Sequence, residues 1–357
     1  MKYNFLIYIS YNYSIPIGTP LETEILKRGF SVKWFCDLGK LKELEPKDNV
    51  LASIEEVIAY QPHIILTITD KVPDFINALK VQVFHGFNAE KRSFNKDHFR
   101  IRGFFDLYCT QGPSTTSVFK LQQKKYKTFD VIETGWSKVD PLFPIQKKEI
   151  EQPPVVFIAS TFTPRLSLAF NDAVYSKIEQ LIRDKKYRFI MVLHPKLSKE
   201  VINKWQLLNG DYFTFYNTTD LVPLFKKADL MFSDTTSAIQ EFMLQEKPIV
   251  TINHHIPKPH LINITEVSEL EKALNKALTF PNGIMLEMKN YNQELHPYFD
   301  GESSKRVIDA SISFLHKDKS YLKKKPLNLM RKYKLRKQLN YYSLQSFNRP
   351  FTINNQD

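Results

Sequence analysis

The pattern that most restricts this chain is an alternation. Short, unbroken apolar runs are each followed by a stretch with helical spacing. The first half carries NFLIYI (4–9), SVKWFC (31–36), HIILTIT (63–69), VQVF (81–84), DLYC (106–109) and TFDVIET (128–134). Helical intervals lie between them: LETEILKRG (21–29), stopped by Gly29, then LASIEEVIAY (51–60), and STTSVFKLQQKK (114–125) with Ser114 as N-cap. A loop with Pro16, Gly18 and Pro20 is expected ahead of the first helix. A second series repeats the scheme, with strands expected at 155–160, 187–193, 211–216, 229–232 and 248–253. Its helices are expected at 168–184, 198–208, 219–227, 237–245 and 266–278.

Strands apolar along their whole length are buried on both faces, which a parallel sheet covered by helices achieves. The expected fold is therefore α/β: two Rossmann-like, doubly wound parallel-sheet domains facing across a cleft, joined by the Pro-containing stretch 138–154. A chain of 357 residues exceeds the usual size of one core, which agrees. The divisions expected are 1–145, a first Rossmann-like domain, 146–316, a second, and 317–357, a basic tail.

Charge is concentrated in that tail. Residues 317–337 hold ten Lys/Arg and one Asp, a net +9 of the chain's +12. The body is close to neutral, which disfavours a nucleic-acid-binding body. Cys36 and Cys109 give no metal spacing and no disulfide framework. The start lacks the apolar core and cleavage site of a signal peptide, and no apolar stretch approaches membrane-spanning length. The reading is a cytoplasmic protein. Its tail interleaves cations with Leu327, Met330 and other apolar residues, which suits an interfacial helix from near Leu327 on the inner face of an anionic membrane. A solvated tail, or a helix folded back on the N-terminal domain, is the plainer alternative.

Ligands of such sheets bind beyond the carboxyl ends of the strands, and polar clusters sit there. His85-Gly86 follows one strand, with Lys91 and Arg92 beyond it; Thr110, Gln111 and Gly112 follow another. Ser160 and Thr161, with Arg165 close behind, end a third, and His194-Pro195-Lys196 a fourth. Ser233-Asp234-Thr235-Thr236-Ser237 ends a fifth and opens a helix. Hydroxyls and backbone N–H groups there make either an N-cap or an anion site. His194 and Lys196 suit either a structural His-Pro turn or a pyrophosphate. Asp234 either holds a ribose or orders its turn.

The chain has no G-x-G-x-x-G, P-loop, H-E-x-x-H or Asp-x-Asp. No cofactor and no metal is expected. His254, His255 and His260 have irregular loop spacing and read as a surface loop.

In motif order over roughly residues 80–315, the chain resembles the CDP-glycerol glycerophosphotransferases, which prime and polymerise teichoic-acid-like chains on the two-domain GT-B fold. The resemblance rests on His85-Gly86 with Lys91, TQGPSTTSVF at 110–119, and Gly135 with Asp140 and Leu142. It continues through Ser160-Thr161, His194-Pro195, the 233–237 turn, and Asp300-Gly301 with Ser303, Ser304 and Arg306. Departures occur at Gly-Trp-Ser-Lys-Val-Asp (135–140), at Thr235 in place of an aromatic, and at Phe162-Thr163-Pro164-Arg165 in place of Trp-Arg.

The resemblance implies attack by an acceptor hydroxyl on the β-phosphate of a CDP-activated polyol, with CMP released. It implies His85 as the base, since a histidine ionises near pH ~6.5, and His194 as a phosphate ligand or leaving-group stabiliser. Gly86, Thr161, Arg165, Lys196, Ser233, Asp234, Thr236, Ser237 and Arg306 are the implied donor-binding residues. The acceptor that the resemblance implies is a lipid-linked or cell-surface glycan or polyol phosphate. Three rival readings stand. One is a UDP-sugar 2-epimerase, which the turn also resembles through Gln240 and Glu241. The second is a glycosyltransferase using a nucleotide sugar. The third is a non-enzymatic membrane-bound scaffold.

Overall fold

Apolar runs become strands because β-branched and aromatic residues fit a sheet covered on both faces. The computed structural model describes residues 2–39, 49–87, 98–146, 149–150 and 152–353. It divides into two compact units: unit 1, Met1–Pro144 with Leu295–Asp357, and unit 2, Ile145–Glu294.

Unit 1 contains β1 (Asn4–Ile9), β2 (Ser31–Cys36), β3 (Val50–Leu51), β4 (Ile64–Thr67), β5 (Leu79–Gln82), β6 (Leu107–Thr110) and β7 (Asp130–Glu133). They form one sheet in the order β3-β2-β1-β4-β5-β6-β7, every pairing parallel. Unit 2 contains β8 (Val155–Ser160), β9 (Arg188–Leu193), β10 (Phe213–Phe215), β11 (Leu230–Ser233), β12 (Ile249–Ile252) and β13 (Ile262–Ile264). Their order is β10-β9-β8-β11-β12-β13, again all parallel. The order reverses between β1 and β4 and between β8 and β11. At such points adjacent loops diverge to opposite faces of the sheet and leave a crevice for ligands.

The two parallel-sheet units expected from the apolar runs are present. β3 and β13 were not foreseen, being too short to show a pattern. The first helix begins at Ile15, inside the expected loop, and runs to Lys27. Pro16 sits in its first turn, where a missing N–H costs nothing. Gly18 lets it pack on β2, since a Cβ there would overlap the Trp34 ring. The helix Pro113–Tyr126 is capped at Gly112, not at Ser114.

The largest difference concerns the C-terminal residues. Helix Ser303–His316, expected in the second domain, belongs to unit 1 and packs on the helix Ile15–Lys27. The basic stretch also belongs to unit 1. Lys317 pairs with Asp130 at 2.9 Å, Lys325 with Asp106, and Lys332 and Arg336 with Asp74 at 3.4 and 2.6 Å. Lys319 is buried and donates to Leu315 O and Thr352 Oγ1. Asp106 and Asp130 lie at the amino ends of β6 and β7, and with Asp74 these carboxylates fix four of the ten cations. Helix Leu329–Leu339 buries Lys332 and Leu335. Among the described residues no helix is long and apolar enough to cross a membrane.

Candidate functional site

In unit 2 the loops after β8 and β11 meet at the strand-order reversal. Asp234 joins them. Its buried carboxylate accepts Ser160 Oγ–H at 2.5 Å, Thr161 N–H at 3.0 Å and Leu168 N–H at 2.9 Å. Ser233 Oγ–H donates to Ala159 O at 2.6 Å, and Thr235 Oγ1 accepts His255 N–H at 2.9 Å. The first three side chains of the turn therefore face inward. Of the two uses open for Asp234, ordering the turn is the one the geometry displays.

Thr236 and Ser237 remain half-buried at the outer end of the turn. Thr236 Oγ1 lies 3.5 Å from Ala238 N, and Ser237 makes no side-chain cap to the short helix Ala238–Phe242. Thr161 is buried, and Arg165 is exposed on a 3-10 turn, Pro164–Leu166.

After β9, His194 Nδ1 accepts the Lys196 N–H at 3.1 Å. A neutral His194 so arranged carries its proton on Nε2, a donor suited to a phosphate oxygen. Phe162, from the β8 loop, packs at a tilt 4.6 Å from the His194 ring and lies under Lys196 Nζ at 5.2 Å. The structure thus joins His194, Lys196 and Phe162 in one cluster, and Thr161 with Asp234 in another. Two of the three histidines at 254–260 are engaged locally: His254 Nδ1 lies 2.7 Å from Ile256 O and 3.2 Å from Ile256 N, and the His260 ring packs at a tilt on Tyr291 at 4.4 Å. Among the described residues no group of three potential metal ligands converges.

In unit 1, β5 ends in a turn of unusual backbone. Phe84 has φ +61°, a left-handed conformation that costs an aromatic residue about 1–3 kcal/mol and persists only where neighbours impose it. Here its ring is buried against His98 (4.8 Å) and Phe119 (5.2 Å). Its carbonyl accepts Trp136 Nε1–H at 3.2 Å, and the Gly86 carbonyl accepts Gln111 Nε2–H at 2.8 Å. The effect is to turn His85 outward, exposed, with the Tyr13 ring 6.2 Å away. The conformational demand falls on Phe84; a Cβ on Gly86 would meet nothing. Lys91 and Arg92 lie outside the described residues.

Behind this turn, Trp136 N–H donates to His296 Nε2 at 3.0 Å. Burial holds His296 down to about 4 and His98 to about 3, so both stay neutral. Asp140 accepts Ser303 N–H, Ser304 N–H and Ser304 Oγ–H at 2.6–2.9 Å, capping the helix Ser303–His316. Burial raises its carboxyl above the usual range against these bonds. Arg306 lies in unit 1 with Gly86, whereas the remaining donor candidates belong to unit 2. Its Nε donates to Thr134 O, and its two Nη groups grip Asp300 at 2.9 Å, holding that carboxyl at about 2. The motif pieces 135–140 and 300–306 are thus one structural clamp.

Sequence reasoning missed Phe84, Trp136 and His296. His296-Pro297 repeats the dipeptide of His194-Pro195, which was the available signal.

No protein-family model matches the sequence, and no curated protein matches it. Solved structures do match. The wall teichoic acid polymerase TagF has a TM-score of 0.64 at 14% identity, over 87% of this chain and 88% of that one. S. aureus MnaA with UDP has 0.60 at 15%, over 91% and 99%. The UDP-GlcNAc 2-epimerase of Neisseria meningitidis bound to UDP-GlcNAc has 0.55 at 14%, over 87% and 100%. At these identities the likeness is one of fold: the chain has the two-domain α/β architecture of GT-B proteins.

Proposed function

We propose that the chain transfers a polyol phosphate, glycerol phosphate first among them, from a CDP-activated donor to a hydroxyl of a lipid-linked or cell-surface glycan or polyol-phosphate acceptor, releasing CMP. The observation that carries this reading is the 84–86 turn. A backbone conformation of appreciable cost, pinned at two carbonyls, does one visible thing: it exposes an imidazole at the carboxyl end of the sheet. The fold shared with a teichoic acid polymerase, one of whose structures was soaked with CDPG, supports it.

In the proposed step the acceptor O–H loses its proton to His85 while its oxygen forms a bond to the donor's β-phosphorus. The bond from that phosphorus to the CMP oxygen breaks, and CMP leaves. His194 Nε2–H, Lys196 and Arg165 meet the charge that builds on the leaving phosphate, with Thr236 and Ser237 as hydroxyl donors. Preorganised donors of this kind are worth about 3 kcal/mol each in comparable sites. Ser233, Asp234 and Thr161 hold the loops in place.

The epimerase reading is supported by the same fold likeness and by Gln240 and Glu241, both buried in the helix after Asp234. Products separate the readings. The full chain is given CDP-glycerol, CDP-ribitol or UDP-GlcNAc with and without glycan and polyol-phosphate acceptors, and the products are read by mass spectrometry. CMP together with an acceptor heavier by one polyol phosphate is expected. A UDP-sugar isomerised without acceptor, or nucleoside diphosphate released with a glycosylated acceptor, overturns the reading.

An anionic membrane surface remains the proposed meeting place with a lipid-linked acceptor, now through fewer groups. Leu329 and Met330 are 69% and 71% exposed, beside exposed Leu327 and Tyr333, with Lys323, Lys324, Lys334 and Lys337 around them. The inward side of the same helix is tied to Asp74.

A further inference from the structure

The proposed transfer leaves open what kind of hydroxyl His85 meets. The loop after β1 bears on that. β1 is one of the two strands at the order reversal in unit 1, so this loop borders the crevice of that sheet. It carries Tyr11 and Tyr13, 48% and 38% exposed. Their rings stack on each other at 5.3 Å with 22° between planes. The ring of Tyr13 is also in contact with His85. The outer face of this stack, partly exposed beside the imidazole, forms an apolar shelf.

Among the described residues the charges around the shelf are balanced. Lys71 pairs with Asp37 at 3.6 Å and Arg102 with Asp70 at 2.9 Å. The Asp70 carboxylate, partly exposed, still accepts hydrogen bonds from hydroxyls, while the two described ion pairs offer a polyanion no unpaired cation. The Tyr13 phenol is pushed up to about 12, by burial first and then by Tyr11, Asp70 and Asp37, so it remains a donor. At the ends of β1 and β4, Ser10 Oγ and Thr67 Oγ1 are buried without a hydrogen-bond partner, which marks a polar edge under the loops.

We infer that Tyr11 and Tyr13 form a platform for a neutral pyranose ring, so that the acceptor hydroxyl at His85 belongs to a sugar and not to a linear polyol phosphate. A pyranose has a C–H face that packs on an aromatic ring and a rim of hydroxyls within the chemistry of the exposed Asp70 carboxylate. A linear polyol phosphate has no such face and carries charge. A nucleotide has a stacking base, but its phosphates would sit near Asp37 and Asp70. The inference rests on the transferase reading for the role of the sugar as acceptor, but the binding itself does not depend on turnover.

The test is saturation-transfer NMR on the full chain with methyl hexopyranosides, neutral and N-acetylated, beside glycerol 3-phosphate and CMP. Transfer to ring C–H protons of a pyranoside is expected in the wild type. Affinity should fall about tenfold in the double variant Tyr11→Ala/Tyr13→Ala, the order of two lost aromatic contacts. It should be kept in Tyr11→Phe/Tyr13→Phe, which retains the stack. The inference is overturned by no pyranoside signal, by a signal indifferent to the double alanine change, or by glycerol 3-phosphate or CMP being the ligand that the change releases. His85→Ala should still bind the pyranoside. If that variant also keeps full transfer activity, the base assignment fails while the platform stands.

Discussion

Two strand-end turns, one in each unit, solve opposite problems with similar polar residues. At 233–237 the side chains of Ser233, Asp234 and Thr235 turn inward and build the turn. At 84–86 the neighbours hold the backbone through its carbonyls, and the side chain of His85 is released outward. A polar residue at a strand end is therefore ambiguous by type alone. What separates support from chemistry is whether its polar atoms are consumed locally.

The largest contrast should appear in stability. Asp234→Ala leaves the buried N–H groups of Thr161 and Leu168 without an acceptor, and should cost about 3–5 kcal/mol, whereas His85→Ala should stay within about 0.5 kcal/mol. Urea unfolding followed by circular dichroism measures both. Equal losses would abolish the distinction between the turns.

Acid should reach unit 1 before unit 2. Burial lowers His63, His98 (about 3) and His296 (about 4) in unit 1, against His260 (about 4) in unit 2. A histidine with a depressed folded pKa leaves stability whole above about pH 6.5, and the loss grows as pH falls, because the unfolded chain takes up protons first. Hydrogen-exchange mass spectrometry from pH 6.5 to 4, corrected for intrinsic rates, should show β5 and β6 losing protection ahead of β8 and β11.

A smaller effect is expected from Trp136→Phe. It removes the hydrogen bond to Phe84 O and shrinks a fully buried side chain, about 2–3 kcal/mol together, and it should loosen the turn. Turnover should fall more than stability does, and an unchanged turnover would detach the indole from the site. Smallest in stability is Thr236→Val with Ser237→Ala, within about 0.5 kcal/mol. Its effect should instead appear as weaker binding of CDP-glycerol in calorimetric titration.

Most strands were legible in the sequence, because double-sided burial writes itself as an apolar run; NFLIYI, SVKWFC and VVFIAS match their strands end to end. The first helix was misplaced because Pro16, Gly18 and Pro20 resemble a loop until Trp34 is seen to need the space at Gly18. His85 and the 233–237 turn were visible from position. The division of labour inside that turn was not, because Asp234 finds its partners some 70 residues earlier in the chain. The tail's charge was plain, but the carboxylates that bind it, Asp74, Asp106 and Asp130, lie far from it in sequence. Reversing only Lys323, Lys324, Lys334 and Lys337 to Glu therefore separates membrane attachment from folding: sedimentation with anionic vesicles should drop while the melting temperature holds.

The central claim is that the 84–86 turn exists to present a base. It is tested most directly by CMP release from CDP-glycerol, with an acceptor that the wild type uses, in His85→Ala. Turnover should fall by about 10²–10⁴-fold, with donor affinity and unfolding midpoint unchanged. Near-normal CMP release from a folded, donor-binding His85→Ala protein would contradict it.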